Sequence, residues 1–203
     1  MWPKQYFLLN ILFWIENIDK KLAKIIENNG SISFSRKKQD PFNNLVEIII
    51  SQFISTKAAE GIKKKILKSF NKEKFEVKSF KNLNVDEIKA LGLSTNKAKS
   101  IKEVTNYFLQ QNSQDRIFNL IQKQRELELL NLFGIGRWSI EMFEMFAMRN
   151  VNVFSSGDAA LRSVMIEKKM VPVNSKLDNF EIYAERWSPF KTIASLHLWK
   201  TFD

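Results

Sequence analysis

The chain has 203 residues, 44% of them hydrophobic, which suits one domain or two intimate lobes around a sizeable core. With no Cys and a single His, it excludes disulfide frameworks, thiol nucleophiles, iron–sulfur clusters and zinc sites built from His or Cys. A net charge of +10 points to an anionic partner such as a nucleic-acid backbone, although richness in Lys, Asn, Ile and Phe is also what A/T-rich codons produce.

In chain order, the apolar run 7–15 is interrupted by Asn10 and is too short to span a bilayer. No small-residue cleavage site follows it, so it reads as a helix over 4–15 packed on the domain rather than as a signal peptide. Leu22, Ile25 and Ile26 carry a helix over 19–28, and the loop 30–41 then precedes a long central block. Leu45, Ile48 and Ile49 mark a helix over 42–54, and Ile62, Ile66, Leu67 and Phe70 one over 57–70. Further helices fall at 86–91, 96–110, 114–121 and 124–132, then at 137–149 on Met142, Met145 and Phe146, and at 158–168, 178–186 and 189–202. Alternation long enough for a sheet is scarce, and four Pro and six Gly leave only short turns, so the fold class is all-α. Segments 88–101 and 129–140 echo each other as helix, glycine-centred turn, helix.

The second of these contains LFGIGRWSI, with Gly134 and Gly136 one residue apart between apolar helical patterns. So tight a turn calls for backbone conformations that a Cβ obstructs, which both glycines are expected to supply. The next helix begins near Arg137, and its first amides suit a phosphate. A plain αα-hairpin is the competing reading.

Asp158 follows Ser155, Ser156 and Gly157 at the mouth of the next helix. It reads as an N-cap, and also as a carboxylate suited to stand beside a developing cation, since a helix N-terminus favours negative charge.

Taken together, the stretch LFGIGRWSIEMFEMFAMRNVNVFSSGDAALR resembles the helix-hairpin-helix and Gly/Pro-rich-loop-Asp (HhH-GPD) segment of the DNA glycosylase superfamily, most closely its 3-methyladenine DNA glycosylase II branch. IIISQFISTKAAEGI at 48–62 and AERWSPFKTIASLHLW at 184–199 are similar to two further segments of that family, so the resemblance covers about 45–200. Ser155 and Ser156 stand in the loop where the family often has proline, Lys191 replaces a common Arg, and Phe53 stands where many members have a second Gln. The longer members' N-terminal β-domain does not fit in this length.

The resemblance implies a two-lobed helical fold with the active-site cleft between the lobes. One helical lobe would span about 42–122, and the other 1–41 plus 123–203, the latter carrying the hairpin 124–149 and Asp158. It implies base-excision repair of duplex DNA containing damaged bases: a monofunctional hydrolase that flips out alkylated purines such as 3-methyladenine or 7-methylguanine. Alternatives are deaminated or oxidised bases, or a non-catalytic DNA-binding module.

Residue by residue, Asp158 would be catalytic, and Trp138, Trp199 and Met142 would line the base pocket. Phe53 and Gln52 would form the wedge, unless Phe53 packs in the core of helix 42–54. Gly134, Ile135, Gly136 and Arg137 would face phosphate, with Lys57, Lys63, Lys97 and Lys99 as further cations. Trp138 stands where lyase members carry their Schiff-base Lys. No cofactor is expected beyond a monovalent cation on the backbone carbonyls of Leu130, Leu132 and Ile135. Trp187 and His197 read as structural, and Glu141 and Glu144 as a solvated face or local ion pairs. A monomer is expected, in the cytoplasm, associated with DNA and not with membrane.

Overall fold

The computed structural model describes residues 14, 15, 17–35 and 37–202. Almost all of the expected helix over 4–15 lies outside them. Twelve helices are bounded among the described residues, which contain no strand: α1 Lys20–Asn29, α2 Pro41–Ser51, α3 Thr56–Phe70, α4 Val77–Phe80, α5 Val85–Ala90, α6 Thr95–Phe108, α7 Ser113–Asn119, α8 Gln122–Leu130, α9 Arg137–Phe146, α10 Ala159–Glu167, α11 Leu177–Glu185 and α12 Lys191–Phe202. No helix among the described residues is long and apolar enough to cross a membrane. The chain divides into two compact units, residues 37–148 and residues 1–36 with 149–203.

Unit 37–148 is organised on α2. Asp40 caps this helix by accepting the Asn43 N–H at 3.1 Å, and Pro41 sits in the first turn where its missing N–H costs nothing. Phe42, Leu45, Val46, Ile48, Ile49 and Ile50 are all buried, and α2 packs against α3, α6, α7 and α9. Phe42, Phe70, Phe75, Phe80 and Phe108 make a set of tilted and edge-on ring contacts with centroids 5.1 to 6.1 Å apart. The four-residue α4 has no counterpart in the sequence reading, because one turn is too short to show periodicity; it delivers Phe80 to this cluster.

The unit formed by 1–36 and 149–203 buries Leu22, Ile25, Ile26, Phe154, Leu161, Val164, Met165, Phe180, Trp187 and Leu198 in one core. Its α12 packs on both α1 and α10. Trp187 is fully buried, as expected, and donates its indole N–H to Asp19 at 2.8 Å. Asp19 caps α1 with its other oxygen, accepting from Lys21 N–H at 3.0 Å and Leu22 N–H at 3.1 Å. A carboxylate is thereby buried with both oxygens satisfied, the condition under which burial of a polar group is tolerable.

The lobe assignment differs from the expectation in one respect. The hairpin formed by α8 and α9 falls in unit 37–148, because α9 packs on α2, whereas Asp158 belongs to the other unit.

Candidate active site

The loop before Asp158 is held from both sides. The Thr192 hydroxyl donates to the Asn150 carbonyl at 2.7 Å and accepts from Val153 N–H at 3.0 Å, and Thr192 N–H donates to the Val151 carbonyl at 2.9 Å. Ser155 and Ser156 are buried, the Ser156 hydroxyl donating to Glu181 at 2.7 Å and its carbonyl accepting from Arg162 at 2.8 Å. Hydrogen bonds thus fix this loop where a proline would fix it through φ.

Asp158 emerges as the N-cap of α10, with φ −75° and ψ 120°. Its Oδ1 accepts two N–H bonds at 3.0 Å each, from Leu161 backbone and from the Trp199 indole. Asp158 is half-buried, and Trp199 lies partly buried against the core of the same unit. The cap role and a chemical role are therefore compatible, since the capping bonds aim the carboxylate. Trp199, expected in a base pocket, also acts on Asp158 directly.

In the hairpin, Gly134 has φ +79°, and a Cβ there would lie 1.9 Å from the Ser100 hydroxyl, so this position needs glycine for both conformation and space. Gly136 does not meet the expectation placed on it. Its φ of −108° and ψ of −178° are ordinary extended backbone, and a Cβ would meet nothing within 4 Å. Open space, not conformation, is what Gly136 provides, as the N-cap residue of α9 with no side-chain cap. Buried Ile135 anchors the turn, its N–H donating to the Leu132 carbonyl at 3.1 Å, and Leu130 is half exposed. Arg137 is exposed and pairs with Glu141 at 2.8 Å. Trp138 is half-buried, while Met142, one turn on, is buried.

Helix α2 ends at Ser51, short of the expected 54, because Gln52 leaves the helical region with ψ 128° and Phe53 then takes the left-handed φ of +58°. Phe53 is 102% exposed, which removes the reading of it as a core residue. Gln52, assigned to the wedge beside it, instead donates to the Gly134 carbonyl and the Ser139 hydroxyl, each at 2.9 Å. Gln52 clamps the hairpin, and Phe53 alone of the two projects.

An N-capping Asp after a Gly, 22 residues beyond a clamped Gly-x-Gly hairpin, is the arrangement of one repair family, and its profile, described as HhH-GPD superfamily base excision DNA repair protein, matches residues 46–189. The chain belongs to the HhH-GPD superfamily. It is 26% identical over 194 residues to DNA-3-methyladenine glycosylase 1 of Schizosaccharomyces pombe, covering 90% of this chain and 81% of that protein. The structure of the S. pombe 3-methyladenine DNA glycosylase Mag1 in complex with abasic DNA superposes with a TM-score of 0.84 at 21% identity, covering 95% of this chain and 96% of that one. The Clostridium acetobutylicum 8-oxoguanine glycosylase/lyase shares the fold, with a TM-score of 0.77 at 16% identity over 95% of this chain and 68% of that one. The fold is therefore shared by proteins named for different damaged bases.

Several features of this HhH-GPD chain escaped the sequence reading. Glu144, expected on a solvated face or in a local ion pair, is 1% exposed and forms a two-pronged pair with Arg125, at 2.6 Å to Nε and 3.0 Å to Nη2. Arg125 also donates to the carbonyls of Leu120 and Ile117, at 2.5 and 3.2 Å. The pair joins α8 to α9, and its partners lie 19 residues apart, a separation that no local pattern reveals. Lys97, expected as a phosphate contact, donates to the Ile50 carbonyl at 2.7 Å at the end of α2, and burial lowers the pKa of its ammonium. A polar cavity bordered by Tyr107, Gln110, Arg116, Glu128, Asn131 and Leu132 contains none of the residues assigned to base recognition. There Glu128 is taken up by Tyr107 and by Arg116 at 2.8 Å.

His197, the chain's single histidine, is 3% exposed, and its Nδ1 has no hydrogen-bond partner. Burial, reinforced by Lys200, pushes its pKa from 6.5 down to about 4. The native state therefore holds it neutral, whereas an unfolded chain takes up a proton below 6.5. Its contribution to stability is complete above pH 6.5 and declines as the pH falls toward about 4. The slope is at most roughly 1.4 kcal/mol per pH unit. Urea titrations at a series of pH values should show this loss, and His197→Leu should flatten it; equal acid sensitivity in the variant would refute the assignment.

Proposed function

We propose that the protein is a monofunctional DNA glycosylase that hydrolyses the N-glycosidic bond of alkylated purines, such as 3-methyladenine or 7-methylguanine, in duplex DNA. The observation that carries this reading is the Asp158 carboxylate, aimed by the Leu161 and Trp199 N–H groups. The relationship to a curated 3-methyladenine glycosylase over nine-tenths of the chain supports the substrate class.

Extruding a base from the stack costs a few kcal/mol, least where the base is damaged. The Phe53 ring, fully exposed on a left-handed residue, is the group available to fill the vacated stack. A purine alkylated on a ring nitrogen is cationic, and the indole faces of Trp138 and Trp199 attract it by stacking and cation–π interaction, with Met142 adding a polarizable thioether. The bond from C1′ to the base nitrogen breaks with its electron pair leaving on the base, which becomes neutral. Asp158 stabilises the oxocarbenium-like sugar, and orients and deprotonates the water that adds to C1′. So good a leaving group needs no strong general acid, and Glu144, sealed in its pair with Arg125, is not placed to act as one. With Trp138 at the lyase position, no Schiff base forms and an abasic site is the product.

Gly134 to Arg137 present backbone and charge to a phosphate. Backbone carbonyls are hard oxygen donors of the kind a monovalent cation takes, and Leu130, Leu132 and Ile135 would hold one. Leu132 already accepts the Ile135 N–H, and a carbonyl oxygen has a second lone pair to offer.

A panel of duplexes carrying one alkylated, deaminated or oxidised base tests the reading. Alkali-labile sites are expected at the alkylated purines, with no protein–DNA adduct trapped by borohydride. Release confined to oxidised or deaminated bases, or a borohydride-trapped adduct, would overturn the substrate class or the monofunctional chemistry respectively.

A further inference from the structure

Helix α3 begins three residues after Phe53 and is exposed along most of its length. Lys57, Gly61, Lys64, Lys65 and Lys68 are all exposed. At about 100° per residue these five positions fall within an arc of roughly 100°. No other residue of the helix shares that arc, and Ala59 and Ile66 bury the opposite side. Glu60, the one acid of this helix, lies outside the arc and is paired with Lys63. None of the ion pairs among the described residues involves Lys57, Lys64, Lys65 or Lys68.

A lysine face alone is what any basic protein exposes to water. Gly61 sets this one apart. It sits in the interior of a 15-residue helix, where glycine is unfavourable relative to alanine. Its φ is not in the left-handed region, and a Cβ there would meet nothing within 4 Å. Neither conformation nor packing in this chain requires glycine at this position. A partner surface approaching the helix backbone between flanking lysines would use the space that a side chain here would fill.

We infer that the lysine face of α3 is a second contact with the DNA phosphate backbone, on duplex flanking the lesion, with Gly61 as the point of closest approach. The inference rests on the glycosylase reading above. From Lys57 to Lys68 the face runs roughly 16 Å, which corresponds to about four or five phosphates of one strand at about 3.4 Å of axial rise each. The face also extends toward the glycine turn between α5 and α6, the echo of the hairpin. There the Lys65 ammonium lies 3.6 Å from where a Gly92 Cβ would be, and Gly92 has φ +104°. The face serves residence on DNA and leaves the chemistry to Asp158.

The full-length protein is compared with its Lys64→Gln/Lys65→Gln/Lys68→Gln and Gly61→Gln variants. Binding to a duplex with long flanks is measured over a range of salt, and single-turnover excision at saturating enzyme is measured in parallel. The triple variant is expected to lower the log–log salt slope by about 2 to 3 and to weaken binding roughly 10- to 100-fold near physiological salt. Its excision rate at saturation should be unchanged. Gly61→Gln should melt no lower than the parent yet bind several-fold more weakly. If the parent binds and excises but both variants keep its affinity and slope, the second contact is wrong and the glycosylase reading stands. If the parent binds no DNA, both fall. Binding to phosphatidylserine–phosphatidylcholine vesicles that the triple variant loses while keeping its DNA affinity would likewise overturn the inference.

Discussion

Asp158→Asn is expected to reduce base excision by about 100- to 10,000-fold while leaving folding and DNA affinity intact. The substitution separates chemistry from structure because of how Asp158 is bonded. The Leu161 N–H and the Trp199 Nε1–H reach the same oxygen, and an asparagine carbonyl can occupy that position and cap the helix equally well. What asparagine lacks is the negative charge for the sugar cation and the basicity to take a proton from water. Asp19 provides the internal control. It too caps a helix and accepts a Trp indole, but through different oxygens, Oδ1 to the amides and Oδ2 to Trp187. Asparagine there would set an NH2 against a donor, so Asp19→Asn should lower the melting temperature and leave the excision rate per folded molecule unchanged. Single-turnover kinetics with circular dichroism distinguish the two, and full activity in Asp158→Asn would refute the assignment.

The second large effect concerns the Arg125–Glu144 pair. Breaking one side of a buried, hydrogen-bonded pair leaves an uncompensated charge, at a cost of about 3 to 5 kcal/mol. Glu144→Leu and Arg125→Met should each destabilise the fold by that amount, lowering the melting temperature by roughly 10 °C for a chain of this size. The double variant Arg125→Met/Glu144→Leu should recover much of the loss, since apolar groups of similar volume often replace such pairs at little cost. Thermal unfolding of the four proteins gives the double-mutant cycle. A penalty below about 1 kcal/mol in the single variants would show that the pair is solvated in solution, contrary to its 6% and 1% side-chain exposure. Because the pair joins the two legs of the hairpin, weaker DNA binding at elevated temperature should accompany the loss.

How much of this was legible beforehand depended on the range of each interaction. Apolar spacing revealed helices such as 57–70 and 178–186 to within about a residue, because periodicity is local. Asp158 as a cap was legible from Ser-Ser-Gly before it and an apolar helix after it, and the HhH-GPD resemblance joined it to the hairpin. Local rules erred where a long-range contact decides the matter. The two glycines of Gly-x-Gly look equivalent in sequence, yet only Gly134 faces Ser100 and takes a positive φ. Phe53 is as apolar as Ile48, Ile49 and Ile50, and only the backbone conformation at Gln52 and Phe53 takes it out of the helix and away from the core. Gln52 reads as half of a wedge until its amide is found on the Gly134 carbonyl, 82 residues away. The hairpin's place in unit 37–148 follows from the packing of α9 on α2, which pattern alone does not specify.

The most direct test of the central claim is chromatographic measurement of free bases released from methylated duplex DNA by the unmodified protein. The account predicts free 3-methyladenine or 7-methylguanine, with an equal number of abasic sites left in otherwise unbroken strands. DNA that is bound but yields no free methylated purine would contradict it.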